Sequence, residues 1–75
     1  MIYKLKYTNM AVLKVIEVLA SSKISWEDAS KEAVKHASKT VKNLRSVYVK
    51  EQSMTIDNGN IVDYRVTLKL SFELE

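Results

Sequence analysis

The stretch Ile61-Val62-Asp63-Tyr64-Arg65-Val66-Thr67-Leu68-Lys69-Leu70-Ser71-Phe72-Glu73-Leu74-Glu75 decides the fold. Val62, Tyr64, Val66, Leu68, Leu70, Phe72 and Leu74 form one set, and Ile61, Asp63, Arg65, Thr67, Lys69, Ser71 and Glu73 the other. Alternation of period two over so long a run predicts a β-strand with one apolar and one polar face. Val, Thr, Tyr and Phe suit a pleated surface, and no Gly or Pro interrupts them. At ~3.3 Å per residue such a strand reaches about 45–50 Å. The rest of the chain has to cover its apolar face and pair with its edges.

Directly before it stands Asp57-Asn58-Gly59-Asn60. Asn-Gly supplies two residues tolerant of positive φ, which a two-residue hairpin turn requires. Residues 45–57 are then the partner strand. Closing the hairpin on Asn58 and Gly59 pairs Asp57 with Asn60, Val49 with Leu68 and Val47 with Leu70. It also pairs Lys50 with Thr67 and Gln52 with Arg65, so apolar meets apolar and polar meets polar. In this register Ser46, Tyr48, Lys50, Gln52 and Arg65 share the polar face, and Glu51 points the other way.

Further upstream, Ser25-Trp26-Glu27-Asp28 reads as a helix start. Ser25 is a good N-cap, Asp28 can answer it, and both acids suit the positive end of the helix. Trp26, Ala29, Ala33, Ala37, Val41 and Leu44 recur at three- and four-residue spacings, widened by Val34, and predict a helix over 26–43 with a slim apolar stripe. Lys39, Lys42 and the capping Asn43 mark its end. Residues 11–20, apolar and β-branched, predict a first strand. Residues 1–9, MIYKLKYTN, read as an N-terminal extension to a single domain over 10–75.

The order β-α-β-β places the first and second strands parallel to each other, with the third between them. The expected fold class is α+β: a three-stranded antiparallel sheet, order 1-3-2, packed on one helix. Both outer strands are then open edges, and one sheet face is uncovered. Exposed edges invite pairing with other chains. A chain of 75 residues buries only about 60% of its unfolded surface and needs a staple. Without cysteine the staple cannot be a disulfide or a thiolate metal site, so self-association is the expectation.

One histidine cannot build a His-rich metal centre, and one glycine rules out the common phosphate-cradling loops. Ser38 and Thr40 have no His and Asp constellation, so nothing marks an enzyme. The net charge of +3 is interspersed rather than clustered. No apolar run approaches a membrane span and no leader opens the chain, so the expected location is cytoplasmic.

Several pieces, in order and spacing, resemble the dodecin family: Ser21-Ser22, Ser25-Trp26-Glu27-Asp28-Ala29, Ala37-Ser38-Lys39-Thr40-Val41-Lys42-Asn43-Leu44, Glu51-Gln52 and Tyr64-Arg65-Val66-Thr67-Leu68-Lys69-Leu70-Ser71-Phe72-Glu73-Leu74. The resemblance begins near Met10. It implies the same fold, assembled as a hollow homododecamer that stores or buffers a flavin, riboflavin or FMN, without catalysing a reaction. It also implies two departures. The family's flavin-stacking Trp falls at Ser46, and its flavin-contacting Gln falls at Arg65. Trp26 lies on the apolar stripe and reads as core. Dodecin-like proteins lacking the Trp are described as calcium binders, and this chain resembles that group. Carboxylates for calcium are available at Glu51, Asp57, Asp63, Glu73 and Glu75, without the spacing of any single-chain calcium loop.

The sequence therefore points to a non-enzymatic, dodecin-like shell that binds a small ligand or ion. The candidate ligand residues are Ser46, Tyr48, Lys50, Gln52 and Arg65, and the metal ligands are undefined. The alternatives are a calcium- or anion-binding shell and, from another class, a sheet-face binder of nucleic acid. Tyr48, Lys50, Arg65 and Lys69 would serve the last, but an aromatic pair of the RNA-recognition type is missing.

Overall fold

A computed structural model of the chain describes residues 12–74. The elements are β1 (Leu13–Ser22), α1 (Trp26–Thr40), β2 (Leu44–Asp57) and β3 (Asn60–Glu73). They form one antiparallel sheet in the order β1-β3-β2, as the sequence predicts. The expectation for residues 1–9 lies outside the described residues.

The alternating run becomes the central strand. Its apolar set faces α1: Val66, Leu68 and Leu70 are buried, together with Ala29 from the helix. Ile16, Val18 and Ala20 from β1, and Trp26, Ala33, Ala37 and Leu44, pack around them. The alanines let the helix lie close on the sheet. The helix lies over β1 and β3 and barely reaches β2. Val47 and Val49 therefore face the helix side of the sheet but stay partly exposed. Met54 and Ile56, further out along β2, are exposed as well. The hairpin runs on past the helix, and the protomer is 58 Å in its longest dimension.

The helix starts where the sequence predicts. Ser25 Oγ accepts from the Asp28 backbone N–H at 2.9 Å. Asp28 does not answer Ser25; its Oδ2 accepts from Ser22 Oγ at 2.7 Å, tying the helix start to the end of β1. The helix stops at Thr40, three residues short of the expected end. Val41 is already extended, with φ of −114°, and Asn43 takes the left-handed conformation, with φ of 62°, that turns the chain into β2. Asn58 and Gly59 both have positive φ, as a two-residue hairpin turn demands.

The hairpin register departs from strict alternation three times. Val47 opposes Leu70 and Val49 opposes Leu68, as expected. Beyond them Lys50 is an extra residue in β2: Glu51, not Lys50, opposes Thr67. Gln52 then opposes Val66, and Ser53 opposes Arg65. A compensating irregularity between Thr55 and Ile56 restores the pairing of Asp57 with Asn60 at the turn. The third lies between Leu44 and Ser46. A bulge sets two residues against one, so every side chain beyond it changes face relative to a straight strand.

Candidate ligand face

The sheet face away from α1 is the polar face of β3, flanked on both sides. Cross-strand partners share a face, so the register lays the side chains out in rows. Ser71 lies between Val15 and Ser46, and Lys69 between Glu17 and Tyr48. Thr67 lies between Leu19 and Glu51, and Arg65 between Ser21 and Ser53. The face is open. Tyr48 is 65% exposed, Val15 56% and Leu19 69%.

Four of the five expected ligand residues belong to this face. Ser46 hydrogen-bonds through Oγ to the Ser71 hydroxyl across the strands. Tyr48 stands beside Lys69. Lys50, the bulged residue, reaches over β3 to Glu17. Arg65 lies between its two serines. Gln52 does not belong with them: it opposes buried Val66, on the face that α1 packs against, because the bulge at Lys50 reverses the alternation. Glu51 takes the place expected of Gln52 on the open face, and Ser53 replaces Gln52 as the cross-strand neighbour of Arg65. Sequence carried one signal for this. The apolar residues of β2 sit at Val47 and Val49 and then at Met54 and Ile56, so their parity switches within the strand.

Most charges on this face are paired. Lys50 Nζ lies 3.1 Å from Glu17 Oε2, and Arg45 Nε 3.0 Å from Glu73 Oε1. Lys23 Nζ lies 3.6 Å from Asp63 Oδ1. The hydrogen bond to Glu17, then its charge, raises the Lys50 pKa above the ordinary 10.5, and the charge of Glu51 nearby adds to this. Arg65 and Lys69 have no hydrogen bond, ion pair or ring contact among the described residues. Glu51, opposite Thr67 on the same face, likewise holds no ion pair among the described residues, so the unmatched charges are two cations and one carboxylate. Ser46 and Arg65 lie about 20 Å apart along the sheet at ~3.3 Å per residue, so no single small ligand spans both within one protomer.

Trp26 is part of the core margin, as its helical spacing predicts. It also bonds across the fold. Its Nε1 donates to the Ser53 carbonyl at 2.9 Å, and its ring meets Tyr64 edge-on at 5.4 Å. Among the described residues no three His, Asp or Glu side chains come together as a metal site. No described helix is long and apolar enough to cross a membrane.

Among the described residues, a long hairpin packs on one helix, one polar sheet face is uncovered and both outer strands are edges: a small β-α-β-β fold. The dodecin family model matches residues 12–75, and the chain belongs to the dodecin family. It is 40% identical over 65 residues to calcium dodecin of Mycobacterium tuberculosis, covering 87% of this chain and 92% of that protein. It is 34% identical over 64 residues to dodecin of Thermus thermophilus, covering 85% and 93%. Among solved structures, dodecin from Streptomyces coelicolor matches with a TM-score of 0.83 at 32% identity, over 88% of this chain and 94% of that one. The M. tuberculosis calcium dodecin crystal structure, described as calcium chelating with a novel calcium-binding site, matches with a TM-score of 0.75 at 39% identity, over 85% and 91%.

Proposed function

We propose that this chain assembles into a hollow homododecamer and binds or stores a small ligand or ion, without catalysis, on the open sheet face. The observation that carries the reading is that face itself. It is polar, uncovered by the described residues of the protomer and edged by exposed Val15, Leu19 and Tyr48, so a second subunit would enclose it. Flavin is the ligand of the family, but a flat isoalloxazine needs an aromatic surface to stack on. Ser46, turned toward Ser71, supplies a hydroxyl where the resemblance implies a Trp. A small polar ligand or an ion suits such a surface better than a stacked flavin.

Calcium is the second reading, supported by the similarity to a protein named calcium dodecin. Calcium takes six to eight oxygens. With no acidic cluster among the described residues of one protomer, copies of Glu51 or Asp63 from several subunits would have to converge.

The test is native mass spectrometry of the purified protein, followed by calorimetric titration with calcium, riboflavin and FMN. A dodecamer that takes up calcium or another ion, and binds flavin weakly, is expected. A monomer removes the shell. Stoichiometric flavin at full occupancy removes the small-ion reading.

A further inference from the structure

We infer that the Ser21–Arg65–Ser53 row is an oxyanion site that takes a phosphate group, free or carried by a small metabolite. This rests on the open face being the binding face and names the chemistry at one place on it. Arg65 is the central residue of the row and has no partner among the described residues, whereas Arg45 and Lys50 on the same face each hold a carboxylate. Its cross-strand neighbours are both serines, Ser21 on β1 and Ser53 on β2. Directly opposed residues in a sheet have Cα atoms about 4.5–5.5 Å apart. A guanidinium fork flanked on both sides by hydroxyl donors can meet several oxygens of one tetrahedral anion. Asp63, next along β3, is already engaged by Lys23, whereas Glu51, diagonal to Arg65 on β2, holds no ion pair among the described residues and is the carboxylate with which an anion would compete.

The fold holds the two serines in place from behind. The bulge at Lys50 brings Ser53 opposite Arg65 in place of Gln52. Trp26 Nε1 fixes the Ser53 carbonyl. On the other side Ser22, next to Ser21, is tied to Asp28. The first turn of α1 thus anchors both outer strands behind the row, which limits the ordering that an anion would otherwise have to impose. The second unpaired cation of the face, Lys69, offsets the unpaired Glu51 and leaves the unmatched charge of the face net positive.

The probe is inorganic phosphate at constant ionic strength, followed by calorimetry and by thermal melts, with native mass measured in parallel. Wild type is expected to bind phosphate saturably and to melt higher in its presence. Arg65→Gln should assemble with unchanged mass and bind phosphate at least about tenfold more weakly, the loss typical of a charge-assisted hydrogen bond. Arg65→Lys should recover part of the affinity, and Ser21→Ala and Ser53→Ala should each lose about fivefold. Phosphate binding that is unchanged in Arg65→Gln overturns the site. So does an Arg65→Gln protein that falls apart in phosphate-free buffer, because the guanidinium then serves a carboxylate between subunits. An intact wild-type dodecamer indifferent to phosphate overturns the anion site alone. A wild type that does not assemble, yet binds phosphate through Arg65, overturns the shell alone.

Discussion

Lys50 Nζ donates to Glu17 Oε2 at 3.1 Å, from one outer strand to the other across the full width of β3. The bulge frees Lys50 from a direct partner on β3. The contact is exposed, so salt screens it. Because it raises the Lys50 pKa in the folded state, its contribution is complete well below 10.5 and is lost as pH rises through the folded value. Thermal melts of wild type and Lys50→Met at pH 7–11 should show a gap that narrows at the alkaline end, and that also shrinks in high salt. A gap constant across this range would show that Lys50 acts through packing of its stem instead.

Trp26 ties the helix start to β2 through the Ser53 carbonyl. Trp26→Phe keeps an aromatic edge for Tyr64 and removes the donor. The expected cost is about 1 kcal/mol, read from denaturant midpoints at unchanged slope. Hydrogen exchange should rise first in β2 around Ser53, since that carbonyl loses its tether.

The two faces of the sheet predict opposite responses to truncation. Leu68 is fully buried, and Leu68→Ala should cost about 2–5 kcal/mol, enough to unfold a chain this small. Leu19, 69% exposed in the protomer, should tolerate Leu19→Ser as far as the fold is concerned. If its face is enclosed by another subunit, the same change should weaken assembly, seen as a concentration-dependent loss of mass by light scattering. An unchanged mass would remove Leu19 from the interface.

Ser46→Trp restores an aromatic platform beside Lys69 and Tyr48. Flavin affinity should rise by about 10–100-fold, taking base stacking on aromatic side chains as the analogue, with quenching of flavin fluorescence on binding. The variant gives up the hydroxyl pair with Ser71, a solvent-exposed contact, so the fold should persist. A Ser46→Trp protein that folds and still ignores riboflavin would show that the missing aromatic is not what limits flavin binding.

Gly59 has φ of +79° with open space around it. Gly59→Ala meets no atom, so its cost is that of the backbone conformation, about 1 kcal/mol. The melting temperature should fall without a change in assembly.

The sequence by itself determined the elements, their order and the identity of the core. The period-two run of β3, the Asn58-Gly59 turn and the Ser25 cap are local features, set by side-chain chemistry and φ preferences within a few residues. Val66, Leu68, Leu70 and Ala29 follow from periodicity alone. The sequence also placed Ser46, Tyr48, Lys50 and Arg65 on one face. Tertiary structure decided which residues stand next to Arg65. That depends on the bulge at Lys50 and on the compensating irregularity between Thr55 and Ile56, which together displace only the segment between them by one residue while Val49 still opposes Leu68 and Asp57 still opposes Asn60. Gln52 then turns to the helix side, and Ser53 comes up opposite Arg65. The salt bridge from Lys50 to Glu17, between strands far apart in sequence, follows from the same displacement, because only the packed sheet brings those two side chains within reach.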